Sequence, residues 1–118
     1  MHSVKPRLKR IDTNTSVSFE SFAPEDPDCF GIWLNASIWS GDSDGADDFQ
    51  IFVCNRAWLA RQREAKGKRY ILLDQPYRPS VVVDALEAYL KECSGDNWPE
   101  VAAKVSKIGV WEFESYRP

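Results

Sequence analysis

The sequence predicts an α+β fold: a mainly antiparallel sheet of about four to five strands, with three helices packed on one face. Three observations carry this. The stretch Phe30 to Asn55 alternates apolar and polar residues at period two, broken only by a loop of turn formers. Two later stretches, Val81 to Cys93 and Trp98 to Ile108, space their apolar residues as a helix does. Short strand-like runs stand before, between and after these blocks. The 118 residues fit one domain, 1–118, with no internal repeat. A chain of that length can bury roughly two thirds of its unfolded surface.

Taken in order, Met1 to Asp12 leads into a first strand, which Pro6 confines to a sheet edge or to a late start. Thr13 to Asp28 reads as an ordered connection. Its segment Ala23-Pro-Glu-Asp-Pro-Asp28 is a turn, and Phe19 and Phe22 pin it to the core. The hairpin follows. Phe30, Ile32, Leu34, Ala36 and Ile38 share one face with Phe49, Ile51 and Val53, expected to meet the helices. Trp33, Trp39 and Phe52 lie on the other face. It is too aromatic to stay wholly in water, so a strand, a helix or a partner should cover it. Asn55 caps a short helix, Arg56 to about Glu64, with Trp58 and Leu59 turned inward, and Gly67 breaks the chain after it. Tyr70 to Leu73 is a short buried strand. Ser80 is the expected N-cap of the second helix. Asn97 caps the third, with Glu100 three residues on and Pro99 in the first turn. Gly109 is expected to stop that helix, and Val110 to Tyr116 to form a last short strand or an extended tail.

The composition, 43% hydrophobic and 28% charged, is that of an ordinary globular chain. No apolar run is long enough for a membrane span, and no apolar segment follows the basic start, so a cytoplasmic location is expected. Cys29, Cys54 and Cys93 are read as free thiols. The only histidine is His2, which leaves no Cys/His metal set and no base for a serine or cysteine nucleophile. Asp42-Ser-Asp-Gly45 fails as an EF-hand loop: with Gly45 in the sixth place, the twelfth would be Ile51 rather than Glu. No phosphate loop is present. Glu112 and Glu114 share a strand face, but adjacent exposed acids usually serve solvation. Neither a catalytic residue nor a metal ligand is assigned, and the chain is read as a non-enzyme without cofactors.

Net charge is only −3, yet it is unevenly spread. Between Arg10 and Arg56 there is no Lys or Arg. That span holds nine acids: Asp12, Glu20, Glu25, Asp26, Asp28, Asp42, Asp44, Asp47 and Asp48. Arg56 to Arg69 holds six bases against Glu64. Acidic loops and a basic helix can simply solvate the surface and attract each other. Alternatively, the acidic surface steers a basic partner. A net negative chain without an aromatic–basic motif argues against nucleic-acid binding.

Four blocks in order then resemble the immunity protein 8 family of bacterial polymorphic toxin systems. They are Phe22-Ala-Pro-Glu-Asp-Pro-Asp-Cys-Phe-Gly31, Phe49-Gln-Ile-Phe-Val-Cys-Asn-Arg-Ala-Trp-Leu59, Gly95-Asp-Asn-Trp-Pro-Glu-Val-Ala102 and Gly109-Val-Trp-Glu-Phe-Glu114. Met1 to Ser21 and Ser40 to Asp47 carry no such signal. The resemblance implies a small cytoplasmic antidote that binds a cognate toxin domain. It implies no nucleic-acid, membrane or small-molecule partner, and it transfers no functional residue. Many such toxins are nucleases with basic substrate surfaces. The interface candidates are therefore Glu25, Asp26, Asp28, Asp42, Asp44, Asp47 and Asp48, with Trp33 and Trp39 as aromatic anchors. A non-catalytic adaptor domain with a non-toxin partner is the alternative, and a small enzyme with an unfamiliar site is a third class.

Overall fold

Alternation in the hairpin holds for most of the inner face, but Ile32 is only half-buried there, and Ser37 and Cys54 of the opposite parity are buried as well. In the computed structural model, which describes residues 3–41, 45–61 and 69–113, β2 (Gly31–Trp39) pairs antiparallel with β3 (Asp47–Asn55). The register runs from Gly31 opposite Cys54 to Ile38 opposite Asp47. Phe30, Leu34, Ala36, Ile38, Phe49, Ile51 and Val53 are buried on one face, as the pattern requires. The expected loop acids Asp42 and Asp44, the end of the first helix at Glu64, Gly67, His2 and the tail from Glu114 lie outside the described residues.

The first strand, β1 (Arg7–Thr13), starts directly after Pro6 and pairs antiparallel with β2, with an irregularity between Leu8 and Arg10. It forms one end of the order β1-β2-β3-β4. A proline and a bulge suit an edge, where the ladder ends anyway. On its other side β3 takes two short partners. The strand β4 (Ile71–Leu73) runs parallel to Val53–Asn55, and β5 (Gly109–Trp111) runs antiparallel to Phe49–Ile51. The sheet is thus mixed, with one parallel pairing, and β3 is its centre.

The helices α2 (Pro79–Leu90) and α3 (Trp98–Val105) close the core face. Val82, Leu86 and Leu90 from α2 and Val101, Ala102 and Val105 from α3 are buried in one cluster with the inner residues of β2 and β3. Asn97 caps α3, its Oδ1 accepting from the Glu100 N–H at 2.9 Å. Phe19 is buried, and Phe22 meets Tyr77 edge-on with ring centroids 5.8 Å apart, so the long connection before β2 is pinned as expected.

Three expectations are corrected. Ser80 does not cap α2: the N-cap is Arg78, which makes no side-chain bond, and Pro79 opens the helix because its fixed φ already fits the first turn. Gly109 does not stop α3, which ends at Val105 with Ser106 as C-cap. Gly109 instead allows a close approach of β5 to β3, since a Cβ there would lie 2.9 Å from Ile51 Cγ1 and 3.1 Å from the Gln50 carbonyl. Finally, Trp58 does not join the core. The helix α1 (Arg56–Ala60) has no buried residue and sends Trp58 to the opposite face of the sheet.

Candidate functional site

The sheet face turned away from α2 and α3 is polar along its middle. Asn14 Nδ2 donates to Gln50 Oε1 at 2.9 Å, and Gln50 Nε2 donates to Asn35 Oδ1 at 2.8 Å. Ser37 Oγ donates to Asp48 Oδ1 at 2.6 Å. These cross-strand bonds satisfy the polar groups of the face, where Asn35, Asp48 and Gln50 are half-buried and Ser37 is buried.

The aromatic residues of this face have different fates. Lys9 Nζ sits 4.6 Å from the centroid of the Trp39 ring. Phe52 is clasped between Trp58 of α1, at 4.9 Å between centroids, and Trp33 of β2, at 5.2 Å. Gly31 makes room for this stack: a Cβ there would fall 2.5 Å from Trp58 Cε2 and 2.8 Å from Phe52 Cζ. Trp33 is left 51% exposed. The pairing of β1 with β2 ends at Leu34, so no β1 partner stands opposite Trp33.

One buried side chain ties this patch to an acidic loop. Asn55 Oδ1 accepts from the N–H groups of Trp58 (3.0 Å) and Phe30 (3.2 Å), and its Nδ2 donates to the Asp28 carbonyl at 2.7 Å. Helix α1, the start of β2 and the loop 25–28 therefore share one anchor. Glu25, Asp26 and Asp28 are all exposed. Asp26 Oδ1 accepts from the Asp28 N–H at 2.9 Å, which shapes the loop. The described ion pairs are Arg10–Asp12 and Arg56–Asp74, neither of which uses these three carboxylates, although Arg56 lines one hollow with Asp28. Beside them is a hollow of about 200 Å³, lined by Asp28, Asn55, Arg56, Ala57, Leu73, Asp74, Gln75 and Pro76. Sequence reasoning missed Asp74. Only the parallel pairing of β4, which sets Leu73 beside Asn55, carries Asp74 to Asp28, and local patterning holds no signal for that.

The other candidates stand at the far end. Nine residues of β2 separate the two ends, roughly 25 Å at strand rise. There the Asp47 carboxylate accepts from two indoles, Trp98 Nε1 at 2.6 Å and Trp111 Nε1 at 2.9 Å. Asp48 is bonded through its carboxylate to Ser37, and its backbone N–H donates to Glu112 Oε1 at 2.9 Å. The acids that the sequence grouped together are therefore split, and two of them hold the fold. Burial pushes the Cys54 thiol up, and burial also pushes Cys93 up, against an opposing pull from Lys104. Among the described residues no group of three or more His, Cys, Asp or Glu is placed to hold a metal ion, and no helix is long and apolar enough to cross a membrane.

Comparison with curated proteins gives no match, and comparison with solved structures gives none. Among protein families, the model described as Immunity protein 8 matches residues 6–116. That span takes in every strand and helix described above. The chain therefore belongs to the immunity protein 8 family, a family of immunity proteins in toxin–immunity systems.

Proposed function

We propose that this chain binds a cognate toxin domain without catalysis and neutralises it by covering a basic toxin surface with an acidic one. The observation that carries the reading is the exposed trio Glu25, Asp26 and Asp28, outside the described ion pairs and tied through the Asp28 carbonyl to Asn55, which also caps the helix of the aromatic patch. Family membership supplies the class of partner. Unpaired carboxylates on a rigid loop raise the encounter rate with a cationic surface, and a bound protein then excludes that surface's substrate. The acids of the hairpin end, Asp42, Asp44, Asp47 and Asp48, and the ring of Trp39 are the other candidates for the same contact.

Co-expression with the toxin domain encoded beside this chain tests the reading. The expected result is restored growth and a stable one-to-one complex on co-purification. Continued killing with no complex would overturn it.

A further inference from the structure

We infer that the toxin is gripped at the Asn55 end of the sheet. Trp33 is its apolar anchor, and the exposed Asp28 carboxylate meets a lysine or arginine of the toxin. This rests on the immunity reading above and says where and by what chemistry the contact is made.

Two features point there. Trp33 is the one member of its face's aromatic group left half in water, although Phe52, itself packed on Trp58, holds its ring from one side. Partly supported, preformed tryptophans of this kind are the anchors around which interfaces concentrate their affinity. Beside Asn55, a hollow of about 200 Å³ is lined by Asp28, Arg56 and Asp74. Within it Asp74 is already paired with Arg56 of this chain, whose Nε donates to Asp74 Oδ1 at 2.6 Å, so the carboxylate that meets a toxin lysine or arginine is Asp28. The patch alone cannot supply the roughly 800 Å² per partner that a stable complex buries, so the footprint must continue onto neighbouring surface. On the Asn55 side that surface is Glu25, Asp26 and Asp28.

The opposite end is mixed in charge. Its clefts are lined by Lys5 and Arg7 with Asp47, Trp39 and Trp98, and by Lys5, Arg7 and Lys91 with Glu87 and Leu90. The carboxylates of Asp47 and Asp48 there are already bonded within the chain, to the indoles of Trp98 and Trp111 and to Ser37.

Titration calorimetry with the isolated toxin domain encoded beside this chain separates the alternatives. Trp33→Ala is expected to weaken binding about fiftyfold and Asp28→Lys at least about tenfold. Each should stay folded, Asp28→Lys near the parent melting temperature and the Trp33 variants slightly below it for the lost packing on Phe52; Trp33→Gln is the second ring-deleting variant. The double variant Asp42→Lys, Asp44→Lys is expected to bind within about threefold of the parent. The inference is overturned if that double variant loses binding while Trp33→Ala and Asp28→Lys retain it, an outcome that leaves the immunity reading intact. If the parent chain itself does not bind the toxin domain, the immunity reading fails instead.

Discussion

Half of the Trp33 surface is in water, which leaves on the order of 100 Å² of ring for a partner to cover. At about 25 cal/mol per Å², that burial is worth about 2.5 kcal/mol, the scale of a hot spot. Asp47 illustrates the opposite fate of a surface acid. Its carboxylate joins α3 to the strand after it through the indoles of Trp98 and Trp111. Removing it in Asp47→Ala leaves two part-buried N–H donors unpaired, so the chain should lose roughly 3 kcal/mol. Its melting temperature should fall by on the order of 10 °C in a thermal scan. The sequence showed that Asp47 was acidic and near a turn; it could not show that two tryptophans 51 and 64 residues away would claim it. The thiols are similarly divided. Cys54 and Cys93 are buried and protonated well above neutrality, whereas Cys29 is half-buried. An aromatic disulfide reagent at pH 7 should react with Cys29 in the native chain and with the other two only on unfolding. Because native Cys54 and Cys93 are raised from 9.0, their contribution to stability is full below pH 9 and is lost as pH rises through the raised values.

At the scale of elements, most of the design was visible in local pattern. The faces of β2 and β3, the Asn97 cap of α3 and the Asn55 cap of α1 follow from spacing and from which residues satisfy orphan N–H groups. The misreadings came where tertiary contact decided. Gly109 was read as a helix stop, yet it is needed for strand-to-strand approach. Trp58 was read as core, yet the space above Gly31 draws it to the outer face. Asn55 was legible as a cap, but not as the link between the cap, the start of β2 and the acidic loop. That triple role gives a prediction: Asn55→Ala loses a helix cap and strands the Phe30 N–H and the Asp28 carbonyl, for roughly 3 kcal/mol in chemical denaturation. Because the loop and α1 are then no longer held together, toxin affinity should fall as well, even at temperatures where the variant is folded.

For the whole molecule, both ends of the sheet mix charges: Asp28 and the Arg56–Asp74 pair stand beside Asn55, and Lys5, Arg7 and Lys91 line the far clefts with Asp47 and Glu87. The sequence revealed that charge was segregated along the chain. It did not reveal which acids share a surface, because β-pairing folds the span back on itself and sends Asp28 and Asp48 to opposite ends. The proposed contact between exposed carboxylates and a basic toxin surface implies electrostatic steering. The association rate measured by stopped flow should drop about tenfold or more between 20 and 500 mM salt, while dissociation changes little. The most direct test of the account is oxidative footprinting of Trp33, free and in complex with the toxin domain. The account predicts rapid labelling of the Trp33 ring in the free chain and strong shielding in the complex. Equal labelling in both states, with protection appearing instead around the hairpin end, would contradict it.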